Sequence, residues 1–132
     1  MKRDCIARSL RATLLVTDPQ RAAVAADMLE KRGIHPTIAT DPEALLRKSR
    51  TCAPHLVIVE DGVAGVSGAR LLADLLEISW TTATILICDD DETAVHDKTE
   101  GLGILGSVRS VEDSEGLNRL LDSFVDLASH DR

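Results

Sequence analysis

Pro54-His55-Leu56-Val57-Ile58-Val59-Glu60-Asp61-Gly62 is the most strand-like stretch of the chain. Four consecutive apolar residues, three of them β-branched, bounded by Pro on one side and acids and Gly on the other, read as a short strand buried on both faces. Gly62, Gly65 and Gly68 then punctuate a loop, and Ala69–Ile78 reads as a helix with Leu71, Leu72, Leu75 and Leu76 inward.

The same order of elements repeats on either side. Ala12–Thr17 predicts a strand; Asp18 caps a helix with Pro19 in its first turn, running to about Arg32 with Val24, Met28 and Leu29 inward and Gly33 as its stop. His35–Ala39 predicts a second strand, and Asp41-Pro42 opens a helix through about Arg50. Downstream come a strand at Thr84–Cys88, an acidic helix start at Asp89–Glu92 and a weaker strand at Gly103–Val108. An amphipathic helix at Glu112–Ser129 follows, with Leu117, Leu120, Leu121, Phe124 and Leu127 on one side.

Five strands alternating with five helices predict one α/β domain, a doubly wound (βα)5 fold with a five-stranded parallel sheet over residues 12–130. Residues 1–11 read as an N-terminal extension. In such sheets the working surface lies beyond the carboxyl ends of the strands, at Val16–Asp18, Glu60–Gly62, Cys88–Asp90 and Ser110.

Length and composition bound the function. The chain has 132 residues, 44% of them apolar, which suits one domain with a real core. Its 22 acids against 15 Lys and Arg give a net charge of −7, contrary to the basic face that nucleic acid requires. One Trp, one Phe and no Tyr leave little for base or flavin stacking. No apolar run is long enough to span a bilayer, and the start lacks the apolar stretch of a secretory signal. Cys5, Cys52 and Cys88 are too few and scattered for a disulfide framework or a zinc site, so a reducing cytoplasm is expected.

The run Pro54–Glu60, with Gly65 and Gly68 five and eight residues beyond Glu60, resembles the receiver domain of two-component response regulators. Asp18-Pro19 at the first loop and Gly103-Ile104-Leu105-Gly106 near the last strand match as well. The resemblance covers residues 12–128 and implies a flavodoxin-like receiver topology. It also implies phosphoryl transfer from a kinase histidine to an aspartate, with an acidic pair holding Mg²⁺ and a Lys and a Ser/Thr on the phosphoryl oxygens.

This chain departs from that pattern at each position. The acceptor falls on Glu60. The acidic pair falls on Val16 and Thr17 if Pro19 sets the register, or on Thr17 and Asp18 if the strand does. The hydroxyl position falls on Cys88, the lysine position on Ser110 beside Arg109, and the aromatic switch position on Ser107. Together the departures imply a pseudo-receiver without phosphotransfer, metal or other cofactor. Glu60 reads either as a fixed charge holding one signalling state or as a solvated acid at a strand end.

Three further readings compete. A one-residue bulge would bring Asp61 to the acceptor place beside Glu60 and Asp18, giving a carboxylate cluster for Mg²⁺ and a working phosphorelay receiver. The Gly62–Gly68 loop could cradle a phosphate in a small flavodoxin-like or nucleotide-binding enzyme, although its spacing matches neither a dinucleotide nor a Walker loop. Asp89–Glu92 is a metal candidate whose plainer role is helix capping. Cys88 reads as a small buried residue, the four histidines as surface or strand-end residues, and Trp80 as a local plug or an exposed contact.

The leading expectation is a stand-alone, non-enzymatic cytoplasmic signalling domain of bacterial two-component pathways. It would act by contact with a signalling protein, either a histidine kinase or an output protein, with no nucleic-acid or membrane partner. A homodimer through the face carrying Val95, Val108, Leu120 and Asp89–Glu92 is also expected.

Overall fold

The structure, a computed structural model, describes residues 9–130. Five strands form one parallel sheet: β1 (Leu10–Leu15), β2 (Ile34–Ala39), β3 (Leu56–Glu60), β4 (Ala83–Ile87) and β5 (Gly106–Val108), in spatial order β2-β1-β3-β4-β5. The helices between and after them are α1 (Ala23–Glu30), α2 (Pro42–Thr51), α3 (Gly68–Ile78), α4 (Glu92–Thr99) and α5 (Ser114–His130). This is the doubly wound α/β fold expected from the alternation. β1 begins two residues earlier than its pattern indicated, and β5 keeps only the last three residues of the expected run.

The period-two alternation of the strands builds two cores. Leu14, Leu56, Ile58, Ile85 and Ile87 face α1 and α5, where Leu29, Leu117, Leu121 and Phe124 meet them. Leu15, Val57, Val59 and Leu86 face the other way, against Leu45 of α2, Leu71, Leu72 and Leu75 of α3, and Val95 of α4. The central strands β1, β3 and β4 are covered on both sides, which is why their sequences lack the polar alternation of a half-exposed sheet.

Local chemistry sets the helix starts. Asp41, Ser67 and Asp91 cap α2, α3 and α4 through side-chain oxygens that accept from Glu43, Arg70 and Ala94 amides, and the Asp113 carboxylate accepts from Gly116 N. Asp18 does the same for Gln20, but the turn it opens, Pro19–Ala22, is a 3₁₀ turn that passes into α1 only at Ala23. That tighter turn changes the helical phase, so Val24, expected inward, is 54% exposed while Ala22 and Ala25 are buried. Leu127 is also corrected, to 55% exposed. Arg32, just beyond α1, reaches Asn118 and Asp122 of α5 at 2.8 and 2.9 Å, and Leu127 lies more than a turn past that contact.

Close approach favours glycine at several positions, 68 and 106 among them. A Cβ on Gly68 would lie 2.7 Å from Leu86 Cδ1 and 3.2 Å from Asp61 Cα; one on Gly106 would lie 2.5 Å from Leu120 Cδ2. The first lets the start of α3 sit against the end of β3, and the second seats α5 on β5. Cys52, read from the sequence as one of three reduced thiols, is disulfide-bonded. The cysteine count therefore gives no argument for a reducing compartment.

Candidate functional site

At the carboxyl edge of β3, the ladder continues in register to Glu60, which stands opposite Ile87 of β4. Asp61 N then donates to Ile87 O at 2.8 Å. The bulge that the alternative Asp61 reading requires is therefore absent. Strand alternation carries Glu60 to the α1/α5 side of the sheet, with Ile58, and Asp61 to the α3/α4 side, with Val59.

Each carboxylate has its own backbone partner. Glu60 Oε1 accepts from Thr17 N at 2.8 Å, a contact that ties the end of β3 to the loop after β1. Asp61 Oδ1 accepts from Gly68 N at 2.7 Å, at the start of α3, and Asp61 Oδ2 takes the Cys88 thiol at 3.8 Å. Glu60 is half-buried at the end of β3 and hydrogen-bonded through Oε1.

The remaining positions fall around these two. Val16 is buried in the α1/α5 core, so it offers no oxygen to the site. Thr17 and Asp18 are exposed: Thr17 gives its amide to Glu60, and Asp18 Oδ1 accepts from Gln20 N at 3.0 Å. Cys88 is buried among Val59, Val63 and Val95. Burial raises its thiol pKa above the ordinary 9.0, assisted by the carboxylates of Asp61 and Asp90 nearby. Ser110 lies just past β5, on the Glu60 side, and its hydroxyl receives Arg21 Nη2 at 3.3 Å; the same nitrogen pairs with Glu112 Oε1 at 3.1 Å.

Arg21 escaped the reading of the sequence because it lies 89 residues from Ser110, in a turn expected to be plain helix. It brings a guanidinium to the hydroxyl of Ser110; both Arg21 and Arg109, the residue before Ser110, are exposed. On the opposite side, Lys98 of α4 pairs with Asp90. Their mutual hydrogen bond lowers the Asp90 carboxyl and raises the Lys98 ammonium from their ordinary values. Of the acidic run 89–92, Asp91 caps α4 and Asp90 holds Lys98.

The Mg²⁺ reading does not fit these residues. Val16 has no donor, Thr17 offers a hydroxyl in place of a carboxylate, and Asp18 and Asp61 use oxygens on Gln20 N and Gly68 N. Among the described residues, no three His, Cys, Asp or Glu side chains converge as a metal site. The phosphate-loop reading loses four amides to the protein itself: Gly62 N donates to Val66 O, Gly65 N to Gly62 O, Val66 N to Val63 O and Gly68 N to Asp61.

Two expectations about surfaces change as well. Val95 and Val108 are buried and so not available as the apolar contacts of a dimer face, while Leu120, packed over Gly106, is partly exposed. Trp80 is 80% exposed, which settles it as an exposed ring and not a plug. No described helix is long and apolar enough to cross a membrane.

No family model matches the sequence, and no curated protein matches it. Solved structures do. The signal receiver domain of an HD domain-containing protein from Pseudomonas fluorescens Pf-5 superposes with a TM-score of 0.79 at 19% identity, over 96% of this chain and 94% of that one. The N-terminal domain of a response regulator/sensory box/GGDEF protein from Carboxydothermus hydrogenoformans gives 0.72 at 20% identity, over 92% and 98%. The receiver domain of a sensor histidine kinase from Pseudomonas aeruginosa PAO1, with magnesium coordinated in its active-site cleft, gives 0.72 at 13% identity, over 89% and 98%. With its strand order β2-β1-β3-β4-β5 and these similarities, the chain has the fold of a response-regulator receiver domain.

Proposed function

We propose that this chain is a receiver-like signalling domain of a two-component pathway that is not switched by phosphorylation and acts by contact with another signalling protein. The observation that carries this reading is the hydrogen bond from Thr17 N to Glu60 Oε1 at 2.8 Å. On this reading the acceptor carboxylate is held against the loop after β1, where a metal-binding pair would otherwise have to stand. Phosphoryl transfer needs a metal or cation cluster to offset the charge that develops on the phosphoryl oxygens. Here the pocket offers Val16, Thr17, Cys88 and Ser110, while Arg21 is already engaged by Ser110 and Glu112.

On this reading Glu60 supplies a permanent charge and a permanent tie between β3 and the β1–α1 loop, and the domain holds one state. It needs no Mg²⁺, carries out no catalysis, and works as a single unit whose sheet begins with β1 at Leu10. Its partner is a histidine kinase or an output protein. Asp61 serves as a structural clasp between β3, α3 and Cys88 in this scheme, not as an alternative acceptor.

Incubating the full chain with acetyl phosphate and Mg²⁺, then measuring intact mass, tests the proposal. The expected mass is that of the unmodified chain. A phosphoryl adduct that disappears in Asp61→Asn would overturn the proposal and install Asp61 as acceptor.

A further inference from the structure

Away from the carboxyl ends of the strands, the sheet face of β1 and β2 and the flank of α2 enclose an open groove of about 710 Å³. That volume lies within the range of sites for small organic ligands. Its lining includes apolar side chains such as Ala12 and Leu45, and its charged members are Arg11, Arg47 and Lys48, with His35 on the edge strand. Among the described residues no Asp or Glu lines the groove, although acids outnumber Lys and Arg by 22 to 15 in the chain.

Among the described residues these cations also have no ion-pair partner. The described ion pairs use Arg21, Lys31, Arg32, Arg70 and Lys98, and none involves Arg11, Arg47 or Lys48. Arg11 is half-buried; its Nη2 donates to Ala53 O at 2.9 Å, and its Nε is buried without a hydrogen-bond partner. Low-dielectric walls beside charges of one sign focus the field and favour an anion there. The apolar lining favours an anion that also carries an apolar body.

We propose that this groove binds a small organic anion, a carboxylate or phosphate on an apolar body, with Arg47 and Lys48 holding the charge. The proposal is independent of how Glu60 functions. It predicts a definite pattern when the ¹⁵N-labelled full chain is titrated with phenyl phosphate. The amides of Thr13, Thr37 and Lys48 shift saturably, while those of Thr17, Glu60 and Asp61 do not. Inorganic phosphate, lacking the apolar body, binds at least about tenfold more weakly. The double variant Arg47→Glu/Lys48→Glu loses at least about tenfold in affinity for phenyl phosphate with an unchanged urea midpoint. Absent or non-saturable shifts, equal binding of the two phosphates, or full affinity in the double variant would each overturn the proposal. Should that variant fold poorly, Arg47→Gln/Lys48→Gln supplies the same test by removing the charges without reversing them.

Discussion

Glu60 and Asp61 are adjacent in sequence and carry the same functional group, yet the pleat of β3 sends them to opposite sides of the sheet and to different backbone amides. Their substitutions should separate accordingly. Glu60→Ala removes the acceptor for Thr17 N and is expected to lower stability by about 1 kcal/mol, because the freed amide can still reach water. Glu60→Gln keeps an acceptor oxygen and should lose less, an order read from urea midpoints at constant m-value. Glu60→Asp places the family's residue at the acceptor position, but Thr17 and Val16 still provide no metal pair. Acetyl phosphate with Mg²⁺ should leave its mass unmodified.

The titrating groups on the α4 side have defined signs. Asp90 has its carboxyl lowered by the Lys98 hydrogen bond, so that pair's stabilisation is present above the ordinary carboxyl value of 3.8 and is lost as pH falls through the lowered one. Lys98 and Cys88 are both raised. Their contributions are fully present below the ordinary values of 10.5 and 9.0 and are lost as pH rises through the raised ones, because the unfolded chain releases those protons first. Lys98→Met should return the Asp90 carboxyl toward its ordinary value in a ¹³C NMR titration. An unmoved Asp90 titration would refute the assigned cause.

Secondary elements were legible where local chemistry decides them. Asp41-Pro42 marks the start of α2 and the apolar run Leu56–Val59 marks β3, since cap, proline and burial all act within a few residues. Registration between elements was not. The 3₁₀ entry to α1 shifted Val24 outward, and the exposure of Leu127 depends on where α1 stops covering α5. Gly68 shows the link between the two levels. Its lack of a side chain is visible in the sequence, but its purpose, the 2.7 Å approach of a virtual Cβ to Leu86, emerges only from the packed chain. Gly68→Ala should destabilise by about 1–3 kcal/mol, because the Asp61 backbone on the far side leaves little room for relaxation. It should also displace the Asp61–Gly68 clasp, seen as loss of amide protection at Gly68 in hydrogen exchange. A stability equal to the parent chain would show that α3 can retreat without cost.

Across the whole domain, the doubly wound fold was readable because β3 has a continuous apolar run, β1 and β4 are mostly apolar, and α2, α3 and α5 each have one apolar side. The candidate site was only half readable. Its strand-end positions follow from topology, but the Thr17–Glu60 and Arg21–Ser110 contacts join residues 43 and 89 apart, beyond any local pattern. The same global view bears on self-association. Val95 and Val108, which would have given a dimer its apolar contacts, are buried inside the protomer, and a net charge of −7 opposes close approach of two copies. The chain is therefore expected to sediment as a single-chain species at low salt. Trp80, the only Trp, reports on this directly, being 80% exposed in the turn before β4 at the end of the sheet remote from Glu60. Its emission should match that of a water-exposed indole and be quenched freely by acrylamide. Neither property should change as protein concentration rises from micromolar to millimolar. A blue shift with reduced quenching at high concentration would place a second copy over that end of the molecule, since no other residue carries the signal.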